Sequence, residues 1–166
     1  MSRSANGGAD WDAARAVAYV LRLLARRDFA RAELEARLER KGVTPDVRRA
    51  ALARLGELDL LDDRRMAESL IGGQRHRKGR LALARELARR GVGEEDRRSA
   101  LAPLDDADQA SAARAQLDKH AWRFASGDRR KDAAKAAGFL RRRGFPGEVV
   151  RDVIDDAFEP DDADTP

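Results

Sequence analysis

Three glycines, Gly42, Gly91 and Gly144, stand 49 and 53 residues apart inside one short pattern. A chain that repeats itself at such a period is built as an array of similar units, each one supersecondary element in size. Aligned on these glycines, the preceding residue is Lys41, Arg90 or Arg143, and the residue four before is Leu38, Leu87 or Leu140. Eight before stand Leu34, Leu83 and Ala136; just after stand Val43, Val92 and Phe145; ten beyond stand Leu52, Leu101 and Ile154. Leucines four apart share a helix face, a cation in the last turn suits the negative end of the helix dipole, and glycine takes the left-handed cap conformation. Each copy therefore predicts a helix that stops, turns at a bulky apolar residue and restarts. Thr44-Pro45-Asp46 reads as the cap, first-turn proline and first-turn acid of the restart.

Alanine, leucine, arginine and the acids dominate, aromatics make up 5%, and β-branched residues are sparse, which predicts an all-helical chain. Periodicity places helices over about residues 11–27, with Val17, Val20, Leu21 and Leu24 as its stripe, over 30–41, and over 45–59, with Val47, Ala51, Leu55 and Leu58 inward. Asp62 caps the next, which carries Met66, Ala67, Leu70 and Ile71; one helix then runs to Gly91 and a shorter one to Leu101. A long helix with Ala113, Leu117, Ala121 and Phe124 on one side breaks at Gly127-Asp128 and resumes over 129–143, and Pro146 starts the last. The expected fold is all-α: an elongated, curved array of three tandem three-helix repeats over residues 11–60, 61–104 and 105–158. A flexible tail, residues 1–10, precedes them and an acidic tail, 159–166, follows.

The chain has no cysteine, and no apolar run of membrane-spanning length or leader type, so a soluble cytoplasmic monomer is expected. It has no glycine-rich phosphate loop with a lysine, and His76 and His120 are isolated, so neither catalysis, cofactor nor metal is expected. The pairs Asp62-Asp63, Asp105-Asp106 and Asp155-Asp156 fall at helix ends, where capping and the dipole account for them.

The charge carries more information. The formal net charge is +4, and without the four acids of the last eight residues it is +8, which favours an anionic partner. Residues 28–41 balance four cations with four acids, and Arg31, Glu35 and Glu39 suit pairing along one face. Between Gly73 and Gly91, by contrast, seven cations face only Glu86, and residues 128–143 hold seven cations against Asp128 and Asp132. The candidate contact residues are Arg75, Arg77, Lys78, Arg80, Arg85 and Arg89 in the second unit, and Arg129, Arg130, Lys131, Lys135, Arg141 and Arg142 in the third. Trp122-Arg123-Phe124 has the composition of a base-stacking platform, but the spacing of Phe124 assigns this segment to the core, with Trp122 at an inter-helix contact.

Several of these stretches together resemble the RecX family of bacterial recombination regulators. The resemblance rests on residues 31–42, RAELEARLERKG, on residues 60–69, LLDDRRMAES, on residues 85–92, RELARRGV, and on residues 139–145, FLRRRGF. They come in the family's order and extend from about Ala16 to Phe158. Met66 replaces the usual phenylalanine, Ala30 replaces the usual serine before the second helix, and Gly72-Gly73 interrupts a helix that is usually unbroken. The resemblance implies a non-catalytic protein that binds RecA filaments on single- or double-stranded DNA and restrains ATP hydrolysis, coprotease function and strand exchange. A general DNA-binding architectural protein and a helical protein-interaction scaffold are the alternatives.

Overall fold

The computed structural model describes residues 10–158, so the N-terminal tail apart from Asp10, and the whole acidic tail, lie outside the described residues. Among the described residues there are nine α-helices and no strand. They are α1 (Ala13–Leu24), α2 (Arg31–Arg40), α3 (Pro45–Glu57), α4 (Asp63–Gln74), α5 (Arg80–Arg89), α6 (Glu94–Leu101), α7 (Asp106–Lys119), α8 (Arg129–Arg142) and α9 (Gly147–Phe158), with a 3-10 turn at Ala121–Phe124.

The glycine pattern produces the same helix end three times. Gly42, Gly91 and Gly144 have φ of 77°, 81° and 81°. In each case the glycine N–H returns to the carbonyl three residues back (Glu39, Ala88, Arg141), and the next N–H returns five residues back: Val43 to Leu38 at 3.1 Å, Val92 to Leu87 at 3.1 Å and Phe145 to Leu140 at 3.3 Å. These paired bonds are the Schellman closure, and the apolar residue that follows drops inward. Val43, Val92 and Phe145 are all buried, with Leu38, Leu87 and Leu140 fully so.

Three separate apolar clusters result. The first gathers Val20, Leu34, Leu38, Leu52 and Leu55. Met66, Leu70, Leu83, Leu87 and Leu104 form the second. The third holds Ala113, Leu117, Phe139, Leu140, Phe145 and Val150. Within each unit the first and third helices pack together and the middle one closes the bundle, which leaves only narrow joints between units and extends the array.

Those joints are built alike. Ala30 and Gly79, the residues that begin α2 and α5, offer no side-chain cap. The next unit supplies it: Asp63 Oδ1 accepts from Arg31 N at 2.7 Å, and Gln109 Oε1 accepts from Arg80 N at 2.6 Å. The glycine turn of the later unit also seats on the same end. Gly79 N donates to Arg143 O at 2.9 Å and Leu81 N to Gly144 O at 3.0 Å, while a Cβ on Gly91 would lie 2.5 Å from that of Ala32. In each of the first two units the uncapped N-terminus of the middle helix is thus completed by the next unit, whereas α8 is capped by its own Asp128.

Four local expectations change. Thr44 makes no side-chain cap bond, so Pro45 alone pre-sets the start of α3. Leu58 is 47% exposed, because α3 ends at Glu57 and Asp59 takes the left-handed conformation (φ 53°), turning the chain away. In α1 the buried residues are Ala16 and Val20, while Leu21 is exposed. Helix α4 runs unbroken through Gly72 and Gly73, and a side chain at either would meet open space, so glycine there costs propensity without ending the helix.

Candidate functional site

Sorting the cations by what they touch separates structural from available charge. Arg90 reaches Glu86 Oε1 at 3.4 Å and Glu33 Oε2 of the first unit at 3.8 Å, while Lys78 Nζ lies 2.5 Å from Glu86 Oε2. Gln74 Nε2 adds a bond at 3.4 Å, so the buried Glu86 ties α4 to α5, and Arg90 extends the link to Glu33 of the first unit. The Lys78 hydrogen bond, with Gln74 and Arg90 behind it, outweighs burial and holds the Glu86 carboxyl below its ordinary range. Arg80 donates to Leu104 O and pairs with Asp106, both at 3.3 Å, across the second joint. Lys78 and Arg80 are therefore half-buried ties, although their spacing places them among the surface cations.

The remaining second-unit candidates are exposed: Arg75 and Arg77 at the end of α4, Arg85 and Arg89 on the outer face of α5. Arg75 lines a shallow pocket with His76, Asp108 and Gln109. In the third unit Arg129, Arg130, Lys131, Lys135, Arg141 and Arg142 are all exposed along α8. Lys131 bonds the capping Asp128 at 2.9 Å, and those bonds hold Asp128 below the usual carboxylate range. The other aspartate, Asp132, is buried and accepts from Ser126 N at 2.7 Å and Ser126 Oγ at 2.8 Å. Both acids of this stretch are thus taken up at the start of α8, and the cations beyond them face solvent except Arg143, which lies half-buried over Phe139 at 4.3 Å.

The second joint sets one end of the third-unit group against the second unit, while Arg89 lies at the far end of α5 beside the first unit. Because the turn at Gly144 seats on Gly79 and Leu81, the C-terminal end of α8, with Arg141 and Arg142, adjoins the start of α5. From there α8 carries positive charge back over its 14 residues, about 20 Å.

The assignment of Trp122 to an inter-helix contact is overturned. Helix α7 stops at Lys119 and the chain tightens into the 3-10 turn Ala121–Phe124, so the 3.6-residue period no longer applies. Phe124 still packs on Phe139, with centroids 5.5 Å apart, as its spacing indicates. Trp122, two residues earlier, is 78% exposed. Arg123, absent from the spacing-based candidates, sits over Phe139 at 5.3 Å and beside Trp122 at 6.0 Å. The signal for both lay in the Trp-Arg-Phe triplet; the break in the helix that redirects them did not show in the periodicity.

Among the described residues no helix is long and apolar enough to cross a membrane. Family models for the first, second and third three-helix domains of RecX match residues 16–55, 62–101 and 107–154 in that order. The chain is 37% identical over 142 residues to the regulatory protein RecX of Chlorobaculum tepidum, covering 84% of this chain and 86% of that one. It is 38% identical over 146 residues to the protein of the same name from Halorhodospira halophila, covering 86% and 88%. The crystal structure of RecX from Lactobacillus salivarius superposes with a TM-score of 0.79 at 22% identity, over 87% of this chain and 96% of that chain, and so shares the fold. With its three helical units matched in order and relatives similar over most of their length, this chain belongs to the RecX family of regulatory proteins.

Proposed function

We propose that this protein binds RecA filaments on DNA and inhibits their ATPase, coprotease and strand-exchange activities, without catalysis of its own. The observation that carries the reading is membership of a family of regulatory proteins along all three units. It gains support from the exposed cations of the second and third units, which form the charged surface that a DNA-bearing filament attracts. An extended array that exposes charge on two linked units can engage more than one point of a periodic filament, which raises avidity without new contacts. The contact residues on this reading are Arg75, Arg77, Arg85, Arg89, Arg129, Arg130, Lys135, Arg141 and Arg142, with Lys131 contributing beyond its cap. Lys78 acts through its tie to Glu86 within the second unit, and Arg80 through the joint to the third.

The test is recombinase ATPase on single-stranded DNA with substoichiometric amounts of the chain. Inhibition by few copies per filament supports filament control. If inhibition needs enough protein to cover the DNA, and appears equally with an unrelated DNA-dependent ATPase, the protein is a general DNA binder instead. Replacing Arg85 and Arg89, or Arg141 and Arg142, with glutamine should weaken inhibition while leaving the melting curve in place.

A further inference from the structure

Among the described residues Trp122 is the most exposed of the large apolar side chains, at 78% against 39–50% for Leu60, Leu21, Leu58 and Leu81. It is held in that position by its neighbours. His120 Nδ1 lies 2.8 Å from Gln116 O and its ring 5.1 Å from that of Phe139, anchoring one end of the 3-10 turn. Phe124 anchors the other end on the same ring. Between the two anchors Trp122 faces outward on a short, fixed segment, an arrangement that presents a flat aromatic surface at small entropic cost. Next to it is a shallow pocket of about 200 Å³ lined by Arg123, Phe124, Ala134, Lys135, Gly138, Phe139 and Arg142. Gly138 and Ala134 keep the α8 wall low, and a Cβ on Gly138 would lie 3.2 Å from Arg142 Nη1, so this guanidinium lies along the helix beside the pocket. Residues 121–143 hold eight Lys or Arg against two acids, and those two are the already engaged Asp128 and Asp132.

From this arrangement we infer that Trp122 is a stacking platform for one unpaired nucleobase, with Arg123, Lys135 and Arg142 receiving the adjacent phosphates. An exposed indole beside a groove of unpaired guanidinium and ammonium groups matches single-stranded nucleic acid, whose bases offer a π-face and whose backbone offers the anion; a duplex hides its base faces within the stack. An acidic protein segment would meet the cations but leave the indole without a flat partner. The inference rests on the reading that this protein works on DNA-bearing filaments, and names the strand contact within it. Its mechanical consequence is that the third unit grips a strand at a fixed point while the second unit remains free to reach along the filament.

The test uses the full chain and a fluorescein-labelled oligothymidylate, with no recombinase present. Trp122→Ala should weaken binding about 5- to 100-fold with an unchanged salt slope, because one stacked base and no ion pair is lost. Trp122→Phe should recover part of the affinity. The double variant Lys135→Ala, Arg142→Ala should instead lower the salt slope by about 1.4, two phosphate contacts on a single strand. Quenching of tryptophan emission by the oligonucleotide should occur in the wild type and vanish in Trp122→Phe, which reads the stack directly even if affinity is shared among many contacts. Unaltered affinity in Trp122→Ala together with quenching that persists in Trp122→Phe would overturn the proposal, as would quenching by an acidic peptide that matches that by the oligonucleotide. Failure of the wild type to inhibit recombinase ATPase would remove the filament reading alone, since the stacking measurement does not involve the recombinase.

Discussion

At the residue scale, the three cap glycines look equivalent in sequence but carry different loads. All need a left-handed conformation that costs an L residue about 1–2 kcal/mol. Around Gly42 there is open space, whereas a Cβ at Gly144 would run into the backbone and side chain of Ala82. Gly42→Ala should therefore cost about 1–2 kcal/mol in urea unfolding, and Gly144→Ala clearly more, with the excess accompanied by loosening of the joint between the second and third units. Equal losses at the two positions would contradict a glycine-seated joint. Titration adds a second residue-level expectation. Glu86 has a folded pKa below its ordinary value of 4.5, so its contribution is present above pH 4.5 and is lost as pH falls through the lower folded value. Asp63 works in the opposite sense. Burial raises it, with Asp96 and Asp62 adding repulsion, against the Arg31 N–H bond that lowers it; its ionised form costs stability, which is regained as pH falls through its raised folded value toward its ordinary 3.8. Glu86→Gln should flatten the acid limb of stability against pH, whereas Asp63→Asn should steepen it, as followed by circular dichroism melts from pH 3 upward.

At the scale of elements, the middle helix of each of the first two units depends on its neighbour for a cap. Gln109→Ala would leave Arg80 N without its partner at a buried end, for a cost of about 0.5–2 kcal/mol, typical of a lost N-cap. That loss should appear in hydrogen exchange at the start of α5, far in sequence from the substitution. The leucine periods and the glycine stops of α2, α5 and α8 were legible because they depend on residues within two turns. The trans caps were not: Asp63 lies 32 residues from Arg31 and Gln109 29 from Arg80, and nothing local to Ala30 or Gly79 signals what will satisfy them. Trp122 was misread for a related reason. A helical period was extended past Lys119, where the chain tightens to three residues per turn and changes the direction of the side chain.

For the whole molecule, three clusters joined through narrow contacts make stability a sum over units and joints. Urea unfolding followed by tryptophan emission and by circular dichroism should give non-coincident transitions, since Trp11, packed on the first core, reports that unit, the solvated Trp122 changes little, and circular dichroism reports all three; coincident curves would indicate one cooperative block. At this scale charge is also sorted, because a cation's role depends on whether an acid from another segment reaches it. Arg80 and Arg85 are indistinguishable by composition, yet one crosses a joint to Asp106 and the other faces solvent.

What the sequence by itself determined is the helical class, the three-fold repetition and the inward leucines before each cap glycine, consequences of short-range periodicity and of glycine's easy access to left-handed backbone, together with the positive bias of the later units, which composition alone gives. Only the tertiary structure decided which helix ends are completed by another unit, which cations are already engaged, and that Trp122 faces solvent. The trans caps and the Arg80–Asp106 pair join groups 26 to 32 residues apart, and the turn of Trp122 outward follows a change of helix type; in both the outcome is set by geometry that the leucine period does not encode.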